Sequence, residues 1–92
     1  MSDRSEKQTH QLVLHPSVAR LAIEMQRKLD RDRHKPGWAE SAVPLAYFVA
    51  RLLEELREMQ AADMDDVWAE AADVANFAMM YADRKTRDDR AT

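Results

Sequence analysis

The chain has 92 residues, 34% of them charged, a formal net charge of −3 and no cysteine. That length holds one domain at most, and without thiols neither a disulfide framework nor a thiolate metal site is available. The weak acidic balance argues against general nucleic-acid binding. No apolar run approaches the roughly 18 residues of a membrane span, and the N-terminus lacks a hydrophobic signal core, so a cytoplasmic protein is expected.

One glycine and three prolines stand beside abundant Ala, Leu, Glu, Arg and Met, a balance that favours helices over strands. Residues 1–11 are polar and charged and read as a flexible tail. His10, His15 and His34 show no zinc spacing. Pro16-Ser17 looks like a helix start with the order of cap and proline inverted. Val18, Leu21, Ala22, Met25 and Leu29 follow at helical spacing and predict a first helix from about Ser17 to Arg33. His34-Lys35-Pro36-Gly37-Trp38 should end it. The basic run RKLDRDRHK at 27–35 admits two readings: a solvated helix end or an anion-binding patch.

Ser41 is a candidate cap for a second helix, with Pro44 inside its first turn. Leu45, Phe48, Val49, Leu52, Leu56 and Met59 make its apolar stripe, which reaches Met59 or Gln60. Ala61-Ala62-Asp63 is the expected turn, and Asp63 or Asp65 the cap of a third helix. Val67, Ala71, Val74, Ala75, Ala78 and Ala82 would form the stripe of that helix. Residues 12–84 thus read as the folded domain and 85–92 as a second flexible tail. The expected architecture is all-α: a three-helix core whose last two helices form an antiparallel hairpin, in an oligomeric helical bundle.

The chemistry sits at the hairpin. Two acidic clusters, Glu54-Glu55-x-x-Glu58 and Glu70-x-x-Asp73, flank its turn. In an antiparallel pair, residues at one height have a constant sum of residue numbers. Glu58 with Glu70 and Glu55 with Asp73 share one such sum, centred on Met64. At about 100° per residue, Glu55 and Glu70 lie at the boundary of their apolar stripes, with Glu58 and Asp73 further round. Phe77 and Met80 continue the acidic flank of the third helix, and a helix apolar on two sides is buried on two sides. Carboxylates crowded beside apolar surface repel one another and gain proton affinity; a hard divalent cation relieves both effects. The bland alternative is a solvated acidic face with Arg51 and Glu55 paired at i,i+4.

Glu54-Glu55-x-x-Glu58, eleven residues, then Glu70-x-x-Asp73 resembles the signature of the all-α nucleotide pyrophosphohydrolases of the MazG-like superfamily, which carry ExxE on one helix and ExxD on the next. HKPGW at 34–38, LLEELREM at 52–59 and EAADVANFAMMYAD at 70–83 are similar to segments of small bacterial and phage members. The resemblance covers residues 15–84. It implies Mg²⁺-dependent hydrolysis of nucleoside triphosphates to monophosphate and pyrophosphate, with Mn²⁺ as a substitute ion. Carried over, Glu55, Glu58, Glu70 and Asp73 hold the metal, and Glu54 joins Glu55 as a catalytic contributor that orients the attacking water.

Asn76 is either a sugar or base contact or an ordinary packing residue. Lys35, Arg84 and Lys85 are candidates for the triphosphate tail, which needs cationic partners. Trp38 either stacks on a base or belongs to the core. The short gap between the clusters and the small helix count imply a homodimer or homotetramer in which a neighbour completes the site. The rival reading is a non-catalytic MazG-like module that binds a nucleotide or a protein. Nucleic-acid binding through Arg27 to Lys35 is disfavoured by the acidic third helix.

Overall fold

The computed structural model describes residues 12–33, 37–38 and 42–91, and all their regular structure is helical. Helix α1 spans Pro16–Arg31, α2 spans Leu45–Ala61 and α3 spans Val67–Ala91.

The start of α1 is less irregular than expected. His15 is the N-cap, its Nδ1 accepting from the Ser17 N–H at 3.1 Å, so Pro16 falls at the first helical position. There its missing N–H costs nothing. The helix stops two residues short of Arg33, where the Asp32 N–H donates back to the Lys28 carbonyl at 3.1 Å. Pro44 lies before α2, not inside its first turn. It is extended at φ −74°, ψ 160°, and its carbonyl accepts from the Tyr47 N–H at 3.0 Å. Ser41, the expected cap, lies outside the described residues.

Asp63 organises the hairpin turn. Its Oδ1 accepts from the N–H groups of Asp65 and Asp66, both at 3.1 Å, and its carbonyl accepts from Val67 at 2.9 Å. The carboxylate thereby satisfies donors that a helix start leaves without intrahelical partners. Met64 stands at the tip, 90% exposed, as a centre of the hairpin there requires.

Residues 85–91, read from sequence as tail, are helical instead, as the last turns of α3. Arg84–Asp88 at 3.8 Å and Arg87–Asp83 at 2.9 Å are i,i+4 pairs along that extension. The Thr86 hydroxyl donates to the Ala82 carbonyl at 2.7 Å.

Helices α1 and α2 each pack on α3 and not on each other. That explains where the α3 stripe departs from expectation. Ala78 and Ala82 are exposed, while Ala72 (0% exposed) and Asn76 (4%) are the buried line. A helix covered on two flanks buries most deeply the line between its neighbours, whatever the polarity there. Among the described residues Phe48 and Ala72 are the buried apolar side chains, and Val18, Ile23, Val49 and Leu53 remain exposed.

Polar contacts supplement this thin core. The Arg20 guanidinium lies 4.5 Å from the Trp68 ring centre, and Asn76 Nδ2 donates to the Met25 carbonyl at 3.2 Å. The segment before α2 is held by Arg84, which donates to the carbonyls of Val43 (3.0 Å) and Trp38 (3.4 Å) and lies over the Phe48 ring. Among the described residues, no helix is long and apolar enough to cross a membrane.

Two substitutions test this packing. Ala72→Leu should destabilise the chain by about 1–3 kcal/mol through overpacking, read as a lower urea midpoint at constant slope. Arg84→Met keeps length and removes the donors. It should cost about 2 kcal/mol, read as the same shift of the urea midpoint.

Candidate metal centre

The hairpin brings one carboxylate oxygen each from Glu55, Glu70 and Asp73 within 4.8 Å of one another. Helix α2 supplies the first and α3 the other two, one turn apart. Glu58, matched in height with Glu70, is exposed at the rim, and its charge acts on both Glu55 and Glu70. Glu54 points outward, half exposed, and pairs with Arg51 at 2.8 Å. It lies outside the triad, as its place about 100° round the helix from Glu55 dictates.

The electrostatics follow from burial. Glu55 is 5% exposed, and burial, then the neighbouring charges of Glu58 and Asp73, push its carboxyl up to about 7. A hydrogen bond shared with Glu58 acts the same way, and Arg51 opposes. Glu70 is also pushed up, by burial first and then by Asp73 and Glu58, against a lowering by Lys28. Its Oε2 is buried without a hydrogen-bond partner. Two cations offset part of the charge: Lys28 Nζ stands 3.0 Å from Asp73 Oδ2, and Arg51 Nη2 stands 3.8 Å from Glu55 Oε2.

These residues fit a small hard cation. The three donors are carboxylate oxygens, the set preferred by Mg²⁺, Mn²⁺ and Ca²⁺ over softer metals. The Glu70 Oε2 atom is buried with nothing to accept from among the described residues, an arrangement that a cation or a proton relieves.

Beside the triad opens a cleft of about 840 Å³, within the range of small-molecule sites. Its walls include Glu55, Asp73, Phe48 and Phe77, with Trp38 and Met80 further along. Phe77 and Met80 thus line the cleft beside Asp73, on the flank where the sequence placed them. Lys28, Arg33 and Arg51 line the cleft together with Asp30 and Asp32, and Arg33 pairs with Asp30 at 3.7 Å.

The remaining expected site residues divide. Trp38 is on the cleft wall, and its Nε1 donates to Asp83 Oδ2 at 2.8 Å. Asn76 is on the cleft wall too; its Nδ2 donates to the Met25 carbonyl, and its Oδ1 is buried without a partner among the described residues. Arg84 is engaged with backbone carbonyls, Lys85 is exposed and off the cleft, and Lys35 lies outside the described residues.

Lys28 is the residue that the sequence did not single out. Its signal was position: three residues after Met25 and one before Leu29, it borders the apolar stripe of α1 inside the basic run. No protein-family model, curated protein or solved structure matches the chain. The functional argument therefore rests on the geometry of these side chains.

A pH dependence follows. The folded chain holds the Glu55 proton more tightly than the unfolded chain does, since its carboxyl is raised from 4.5 to about 7. The stabilisation from Glu55 is fully present below pH 4.5 and is lost as pH rises through 7. Its full extent is on the order of 3 kcal/mol. The metal-free chain should show a falling Tm across that window, Glu55→Gln should flatten the fall, and Mg²⁺ should raise Tm more at pH 8 than at pH 5.

Proposed function

We propose that the chain is a Mg²⁺-dependent nucleoside triphosphate pyrophosphohydrolase, converting a (d)NTP and water to a (d)NMP and pyrophosphate. The observation that carries this reading is the carboxylate triad, with Glu55 buried and a Glu70 oxygen unpartnered among the described residues, beside a cleft whose walls carry aromatic rings and three cations. The resemblance of the acidic spacing to the MazG-like enzymes points to the same chemistry.

In this reading Glu55, Glu70 and Asp73 hold the ion, and Glu58 adds charge from the rim. Mg²⁺, when bound, supplies charge neutralisation for phosphoryl oxygens. Water forms the new bond to the α-phosphorus, and the bond from that phosphorus to the bridging oxygen breaks. The proton of the water passes to a carboxylate at the rim of the cluster, and Glu58, exposed beside Glu55, is placed to take it. Lys28, Arg33 and Arg51 face the phosphate chain, and Trp38 and Phe48 offer ring surface to the base. Glu54 acts on the site through Arg51. The exposed Val18, Ile23, Val49 and Leu53 suit a homodimer or homotetramer, and the work is nucleotide-pool housekeeping in the cytoplasm.

A second reading, a module that binds nucleotide without turnover, is favoured by one observation: Lys28 already neutralises Asp73. The two separate on incubation with Mg²⁺ and a panel of NTPs and dNTPs. The enzyme releases pyrophosphate, and Glu55→Gln or Asp73→Asn lowers the rate beyond the ~100-fold typical of an outer-shell change. Nucleotide binding with no turnover supports the module. Orthophosphate alone, or neither binding nor turnover, overturns the enzyme.

A further inference from the structure

Lys28 occupies a place that nothing else in the site explains. Its ammonium reaches from α1 across to α3 and contacts Asp73 Oδ2 at 3.0 Å, with both side chains about one-fifth exposed. Asp73 is one of the three carboxylates of the triad. The other nearby cation, Arg51, is anchored twice over, at 2.8 Å to Glu54 and over the Phe77 ring at 5.1 Å. A lysine has a flexible four-carbon stem and a compact, rotatable charge, whereas a guanidinium held by a carboxylate and a ring is fixed. Lys28 also lines the cleft beside Asp73 and Glu55, so a short swing of its stem turns the ammonium into that space.

Two cations cannot share Asp73 without repulsion at contact distance. The buried, unpartnered Glu70 Oε2 points to a second cation for the cluster, because the ammonium on Asp73 leaves that oxygen without a donor. A divalent ion that takes up Glu70 and Asp73 together draws charge from the Asp73 carboxylate and weakens the hold of Oδ2 on the ammonium. An anionic ligand of that ion would offer the ammonium a stronger partner in the cleft.

We propose that Lys28 is an exchangeable counter-ion: it neutralises Asp73 in the metal-free chain, and on metal loading it transfers to a phosphate group in the cleft. The inference rests on the metal-centre reading above and adds a named anion-binding residue to it. It makes metal loading a prerequisite for strong phosphate binding, since one lysine serves the carboxylate and the phosphate in turn.

The test compares the full-length chain with Lys28→Met and Lys28→Arg. Without nucleotide, Mn²⁺ affinity is read by electron paramagnetic resonance or calorimetry, with circular dichroism as the control for folding. Lys28→Met should bind Mn²⁺ roughly tenfold more tightly, because the competing charge is gone. Lys28→Arg keeps the charge and should stay near the parent value. With Mg²⁺ saturating, micromolar pyrophosphate should bind Lys28→Met roughly tenfold more weakly than the parent chain, and Lys28→Arg should recover part of the loss. Equal or weaker Mn²⁺ binding by Lys28→Met overturns the exchange and leaves the metal centre standing. Unchanged pyrophosphate affinity overturns the transfer to phosphate. A parent chain that binds no Mn²⁺ removes the metal centre and this inference together. If Lys28→Met does not fold, Mn²⁺ binding is read on Lys28→Gln to the same criteria.

Discussion

Setting Glu55, Glu70 and Asp73 side by side along a helix–helix seam works against folding. Like charges are brought together and partly removed from water, and the apolar core that must offset this is small. The chain manages the conflict with two cations, Lys28 reaching across from α1 and Arg51 on α2 one turn before Glu55. The position of each helix is therefore tied to the same cluster. A buried ion pair of this kind is weak evidence for stability.

Helix α3 carries the arrangement because it is covered on both flanks. The coverage buries Ala72 and Asn76 and tucks the acidic pair beside Phe77 and Met80. It also leaves α1 and α2 apart, and the space between them is the cleft. Carboxylate cluster and cavity thus have one origin: among the described residues, a three-helix arrangement in which α1 and α2 do not meet.

Much of this was legible in the sequence. The hairpin register followed from the short turn at Ala61–Asp66, which leaves little freedom in how Glu55 can face Asp73. Helical angles placed Glu55 at the edge of the stripe, but the resemblance carried Glu54 along as its catalytic partner, and the structure turns Glu54 outward onto Arg51. Other features were not legible, for identifiable reasons. The α3 stripe was read from apolarity alone, yet two-sided packing buries Asn76 and exposes Ala78 and Ala82. The helical end of α3 was hidden by its mixed charge, although the i,i+4 spacing of Asp83 with Arg87 and Arg84 with Asp88 was there to see. Lys28 and Asp73 are 45 residues apart, and no periodicity encodes a contact between helices that are not neighbours in the chain.

That separation also bears on how the molecule assembles. The α2–α3 hairpin is joined by a tight turn and makes mostly local contacts, so its loop-closure entropy is small. Helix α1 reaches the hairpin through contacts distant in sequence: Arg20 on Trp68, Lys28 on Asp73 and Met25 on Asn76. It packs on α3 and not on α2. The carboxylate triad therefore belongs to the local hairpin unit, whereas the cleft beside it takes one wall from a helix that loop closure alone does not hold.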